Sequence, residues 1–115
     1  NNTTSIDAYL NGSTYNVYMH GGGVGTTTPL IQNQYNHIVA TYTNGTLQIY
    51  INGEAGTMTG TTTGYNITNT STLYIGSFNT GGYSLYGNIS LFKIYNRGIT
   101  STEVKRNYIA YKNRT

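Results

Sequence analysis

Two Asn-Gly dipeptides, Asn44-Gly45 and Asn52-Gly53, constrain this chain more than any other feature in it. A two-residue reversal of type I′ needs positive φ at both central positions, which Asn tolerates and Gly adopts without steric cost. The runs that flank the first dipeptide, residues 35–42 and 46–51, are rich in β-branched and aromatic side chains. Residues 35–53 are therefore predicted to form an antiparallel hairpin followed at once by a second turn. Alternation puts Leu47, Ile49 and Ile51 on one face and Thr46, Gln48 and Tyr50 on the other. On the first arm Ile38, Ala40 and Tyr42 oppose His37, Val39 and Thr41.

The rest of the chain extends this pattern. Residues 5–20 read as a first hairpin turned at Asn11-Gly12, with Ile6, Ala8 and Leu10 alternating on one arm and Tyr15, Val17 and Met19 on the other. The run Gly21-Gly22-Gly23-Val24-Gly25 predicts a break between sheets. It does not suit a phosphate cradle, because neither Lys-Ser nor Lys-Thr follows and no helical pattern begins there. Residues 57–64 are almost wholly Thr and Gly, as in a loop or loose edge, and residues 71–77 read as a short strand with Leu73 and Ile75 inward. Residues 78–83 are a Gly-containing loop. Residues 85–95 carry Ile89 and Leu91 on one face and Phe92 and Ile94 on the other, which predicts a central strand. A single helix is expected at the C-terminus. Thr100 is its N-cap, Glu103 completes a capping box, and Ile99 and Val104 form a hydrophobic staple. The fold class is all-β: an antiparallel β-sandwich of jelly-roll type with one short C-terminal helix, forming one domain over residues 1–115.

Composition narrows the function. The net charge of +3 arises largely from Lys105, Arg106, Lys112 and Arg114. These suit a solvated helix whose last turn carries cations, not a basic groove for nucleic acid. There is no cysteine, so no disulfide framework is expected. No apolar run reaches the roughly 18 residues of a membrane span. The chain opens with polar Asn1-Asn2-Thr3-Thr4 and has no initiator Met, as expected of a processed product or a piece of something longer.

The ordered set Tyr35-Asn36-His37-Ile38-Val39-Ala40-Thr41-Tyr42, Leu47-Gln48-Ile49-Tyr50-Ile51-Asn52-Gly53, Leu73-Tyr74-Ile75-Gly76 and residues 87–99, closing on Glu103-Val104, resembles the laminin-G-like, concanavalin A-like jelly-roll domains. The resemblance covers about residues 35–111 and implies a lectin-like fold used in adhesion, in glycan or protein binding, or in structural decoration. Three departures stand out. Tyr35 occupies a position where the family usually has Trp, which implies a smaller aromatic in that core site. Asn52 and Ser90 stand where the family often has Asp, so carboxylates that could help hold calcium are missing. The family's opening strands have no counterpart ahead of residue 5, so a neighbouring chain or another part of the polypeptide is expected to complete the sheet.

Catalysis finds little to work with. Glycoside hydrolysis ordinarily needs a pair of carboxylates, and the acidic residues are Asp7, Glu54 and Glu103, in no cluster. His37 alternates with Val39 and reads as a packed residue. No zinc spacing occurs, and calcium would have to rely on backbone carbonyls and Asn side chains, so no cofactor is expected. Sugar binding asks for aromatic faces beside polar groups. His20, Phe78, Asn79, Tyr83 and Tyr86 are the residues that offer them. The expectation is a non-enzymatic, lectin-like structural or adhesion module on a virion surface, as capsid decoration or tail appendage, with other structural protein chains as partners in a homo- or hetero-oligomeric assembly and glycans as ligands. The alternative is a carbohydrate-binding module of a secreted or cell-surface protein.

Overall fold

The computed structural model describes residues 2–3, 8–11, 16–19, 24–67 and 88–113. In chain order the elements are β1 (Asn2–Thr3), β2 (Ala8–Asn11), β3 (Asn16–Met19), β4 (Val24–Thr26), β5 (Ile38–Thr43), β6 (Thr46–Ile51), β7 (Glu54–Ala55), β8 (Met58–Gly60), β9 (Asn66–Ile67) and α1 (Ser101–Lys112). Two antiparallel sheets carry the architecture, one ordered β2-β3-β4-β8 and the other β5-β6-β7. A parallel pair, β1 with β9, lies beside them.

The central hairpin follows the reading of its turns. Thr43 pairs with Thr46 across Asn44 and Gly45, whose φ values are 49° and 80°. Ile51 pairs with Glu54 across Asn52 and Gly53, at 51° and 86°. These are consecutive two-residue reversals of the kind that matches strand twist. Leu47, Ile49 and Ile51 are buried and meet Val17, Met19 and Val24 of the other sheet. Tyr65 closes this core, with Leu30, Tyr42 and Met58 packed against it. The two sheets thus share one apolar layer, the arrangement that defines a sandwich.

Hydrogen bonds stitch the layers where the chain crosses between them. The Gly56 N–H donates to the Ile49 carbonyl at 2.8 Å, and Gln48 Nε2 donates to the Gly56 carbonyl at 3.1 Å. A Cβ at Gly56 would lie 2.6 Å from Thr26 Oγ1, so only glycine lets β4 and this crossing approach so closely. The hairpin's open end is tied by Asn52. Its Oδ1 accepts from the His37 N–H at 2.8 Å, while its Nδ2 donates to Asn36 Oδ1 at 3.0 Å. Asn36 in turn holds the preceding loop through the Ile31 N–H and the Ile31 and Gln34 carbonyls.

Several expectations need correction. Residues 88–95 form no strand; Ile89, Leu91 and Phe92 are half-exposed and Ile94 is 66% exposed. Apolar side chains on both faces permit a central strand but cannot create one without ladder partners. Here the segment is held by the helix instead, with Lys93 Nζ 5.2 Å above the Tyr111 ring and the Tyr95 hydroxyl accepting from Asn107 Nδ2 at 3.5 Å. Val24 and Gly25 lie within β4 and do not break the sheet. Gly25 pairs with Tyr18, whose ring covers the space a Cβ would fill, a cross-strand use of glycine that composition hides. Asn11 ends β2 paired with Asn16, so it belongs to the ladder and not to a turn; Gly12 lies outside the described residues. Tyr35 is 55% exposed and fills no core site. Of the C-terminal cations among the described residues only Lys112 lies in the helix's last turn, because Lys105 and Arg106 sit in its first half. The expected strand over 71–77 and the loop over 78–83 lie outside the described residues.

Asn52→Asp keeps the acceptor for the His37 N–H but loses the donor to Asn36 and sets a carboxylate against the Asn36 oxygen. Asn36 cannot turn its amide without breaking three other bonds. Urea denaturation is expected to show a loss of about 1–2 kcal/mol, and an unchanged midpoint would contradict this reading of the Asn52 amide.

Candidate functional site

Helix α1 starts cleanly because its first turn is capped from both directions. Thr100 Oγ1 accepts from the Glu103 N–H at 3.2 Å, and Glu103 Oε1 accepts from the Thr100 N–H at 2.8 Å. Ile99 and Val104 are both buried, as the staple requires. The helix then packs on the second Asn-Gly turn. A Cβ at Gly53 would come within 2.8 Å of Tyr108 Cδ2, so the bare glycine is what admits the ring.

This docking leaves an open groove of about 580 Å³ between α1 and the β6–β7 turn, within the size range of small-ligand sites. Tyr50, Gly53, Glu54 and Ala55 line one side. Thr102, Lys105, Arg106 and Ile109 line the other at helical spacing, with Ser101 at the end. Lys105 Nζ bonds Glu54 Oε2 across the groove at 2.5 Å.

On the far side of the same contact His37 is enclosed by rings. Tyr108 and Tyr111 lie with centroids 6.0 and 5.7 Å away, and Lys112 and Lys93 stand over those two rings. Its Nδ1 is buried with no hydrogen-bond partner. Burial pulls the imidazole pKa below its usual value, and His37 is a packed residue, as its alternation with Val39 predicts.

The residues expected to bind sugar (His20, Phe78, Asn79, Tyr83 and Tyr86) lie outside the described residues. The groove brings together none of them. Its own members were legible in part: Thr102, Lys105, Arg106 and Ile109 form an i, i+3, i+4, i+7 stripe, and Tyr50 alternates with the buried Ile49 and Ile51. What sequence could not supply was that the turn at Gly53 would face that stripe.

Residues 1–105 match the family described as the Concanavalin A-like lectin/glucanases superfamily. The chain belongs to that superfamily. Among solved structures, the concanavalin A-like chain is similar to a crystal structure of residues 221–444 of an S-layer domain-containing protein from Clostridium thermocellum, at 18% identity and a TM-score of 0.57. The match covers 92% of this chain and 64% of that one. No relative was found among curated protein sequences.

A superfamily that holds both lectins and glucanases puts the carboxylates under scrutiny. Glu103 receives Arg97 in a two-pronged pair at 2.9 and 2.6 Å. That pairing, with the backbone bond from Thr100, lowers its pKa to about 2. A general acid for glycoside cleavage needs the opposite shift. Glu54 is engaged by Lys105. Among the described residues no group of three or more His, Asp or Glu side chains gathers as for a metal, and no helix is long and apolar enough to cross a membrane.

Among the described residues two groups carry shifts that make the fold acid-sensitive. His37 has a folded pKa below its ordinary 6.5, so its contribution holds above pH 6.5 and declines as pH falls below it. Glu103 contributes fully above 4.5 and loses that contribution as pH falls towards about 2. A titration of thermal midpoint against pH is expected to show two declining limbs. His37→Gln should flatten the upper one and Glu103→Gln the lower one; a limb surviving its own substitution would refute the assignment.

Proposed function

We propose that this chain is a carbohydrate-binding surface module that holds glycans without cleaving them. The observation that carries this reading is the state of the two described glutamates in a lectin/glucanase scaffold: Glu103 is paired with Arg97 and the helix cap, and Glu54 with Lys105. What remains accessible is a groove with an aromatic ring, hydroxyls and cationic donors, the ingredients of sugar recognition. Tyr50 offers a face for the C–H side of a pyranose, and Ser101 and Thr102 offer hydroxyl partners. Phe78, Asn79, Tyr83 and Tyr86, with His20, are a second set of the same chemical types in the sequence.

A surface setting is supported by the similarity to an S-layer domain-containing protein. Display on a virion, in assembly with other structural chains, is a narrower version of that setting and rests on analogy from the sequence alone.

The purified chain should bind at least one glycan class on an array and release no new reducing ends from the bound polysaccharide. Tyr50→Ala is expected to weaken that binding about tenfold, in line with loss of one stacking face. Weakening on Tyr83→Ala with Tyr50→Ala silent would move the site to the set around Tyr83. Turnover of a polysaccharide, or no glycan bound at all, would overturn the proposal.

A further inference from the structure

We propose that the groove beside α1 selects sugars bearing an anionic group, a carboxylate or sulfate, and seats that group against Arg106. This rests on the carbohydrate-binding reading above and adds the class of ligand. The charges around the groove give the reason. Glu54 is bonded to Lys105, and both oxygens of Glu103 are taken, one by Arg97 and the other by Arg97 and the Thr100 N–H. Arg106 is an exposed groove residue with no acidic partner among the described residues. With one carboxylate and two cations on its walls, the groove carries a net positive charge.

The backbone adds donors at the same end. The capping box satisfies the Thr100 and Glu103 N–H groups, and Val104 donates to the Thr100 carbonyl. The N–H groups of Ser101 and Thr102 take no partner among the described residues, and both residues line the groove. They stand at the positive end of a 12-residue helix. A neutral sugar would satisfy the hydroxyls of Ser101 and Thr102 but leave the guanidinium without a counter-charge. An acidic sugar pairs it in a charge-assisted, two-pronged contact, with Tyr50 and Ile109 flanking the ring. A polyanion such as nucleic acid needs a track of cations, and the groove lines up only Lys105 and Arg106 among the described residues.

Calorimetric titration with oligogalacturonate, sulfated dextran oligosaccharide and neutral dextran of matched length tests this. At low salt at least one acidic ligand should bind about tenfold more tightly than the neutral one, and the margin should shrink with added NaCl. Arg106→Ala sits on an exposed helix face and favours helix, so circular dichroism should be unchanged while the acidic preference disappears, a loss of about tenfold. Glu54→Gln removes the opposing charge and should tighten acidic binding several-fold. An acidic preference that survives Arg106→Ala and ignores Glu54→Gln overturns the assignment of Arg106. Tighter binding of neutral dextran overturns the ligand class and leaves the carbohydrate-binding reading standing. Binding of none of the three here, together with none on the array, overturns both.

Discussion

A bare α-carbon at position 53 decides where the helix goes. Gly53 sits at positive φ in the second Asn-Gly reversal, and the Tyr108 ring occupies the space beside it. The turn therefore does two jobs with one residue: it reverses the chain into β7 and gives α1 a seat. Both faces of the contact follow from that seat. On one side Tyr108 and Tyr111 close over His37; on the other the groove opens between Tyr50 and the helical stripe. A side chain at 53 would strain the turn and push the helix away together.

Acidic residues are scarce in this chain, and the two described glutamates are used for construction. Glu103 joins the helix start to Arg97, fixing how residues ahead of the cap approach α1. Glu54 ties β7 to the helix through Lys105. In a superfamily whose name spans binding and hydrolysis, the state of these two side chains is what the proposed binding role rests on. The same β-sandwich can present acids or occupy them, so function has to be read from the site.

Much of the scaffold was legible because its signals are local. Asn44-Gly45 and Asn52-Gly53 name their turn type, Leu47, Ile49 and Ile51 name the buried face, and Thr100 with Glu103 names the helix start. The failures share a different cause. Whether Ile89 to Ile94 form a strand depends on partners elsewhere in the chain, and alternation along one segment cannot report them. Gly25 reads as a breaker until Tyr18 is seen lying over it. Tyr35 and Tyr65 are the same residue type, yet one is half-exposed and the other closes the core. The site was harder still. Thr102, Lys105, Arg106 and Ile109 fall at helical spacing in the sequence, but their meaning depends on Gly53 and Tyr50 meeting them from far along the chain.

The parallel pairing of β1 with β9 bears on the order in which the molecule assembles. Asn2 lies opposite Asn66 and Thr3 opposite Ile67, so this pairing closes across a long stretch that holds β2 to β8, whereas the β5–β6 hairpin closes over two residues. Loop-closure entropy places the hairpin early and the terminal pairing late. The β1–β9 pairing is thus a consequence of the sandwich, while the β5–β6 hairpin is a starting point for it.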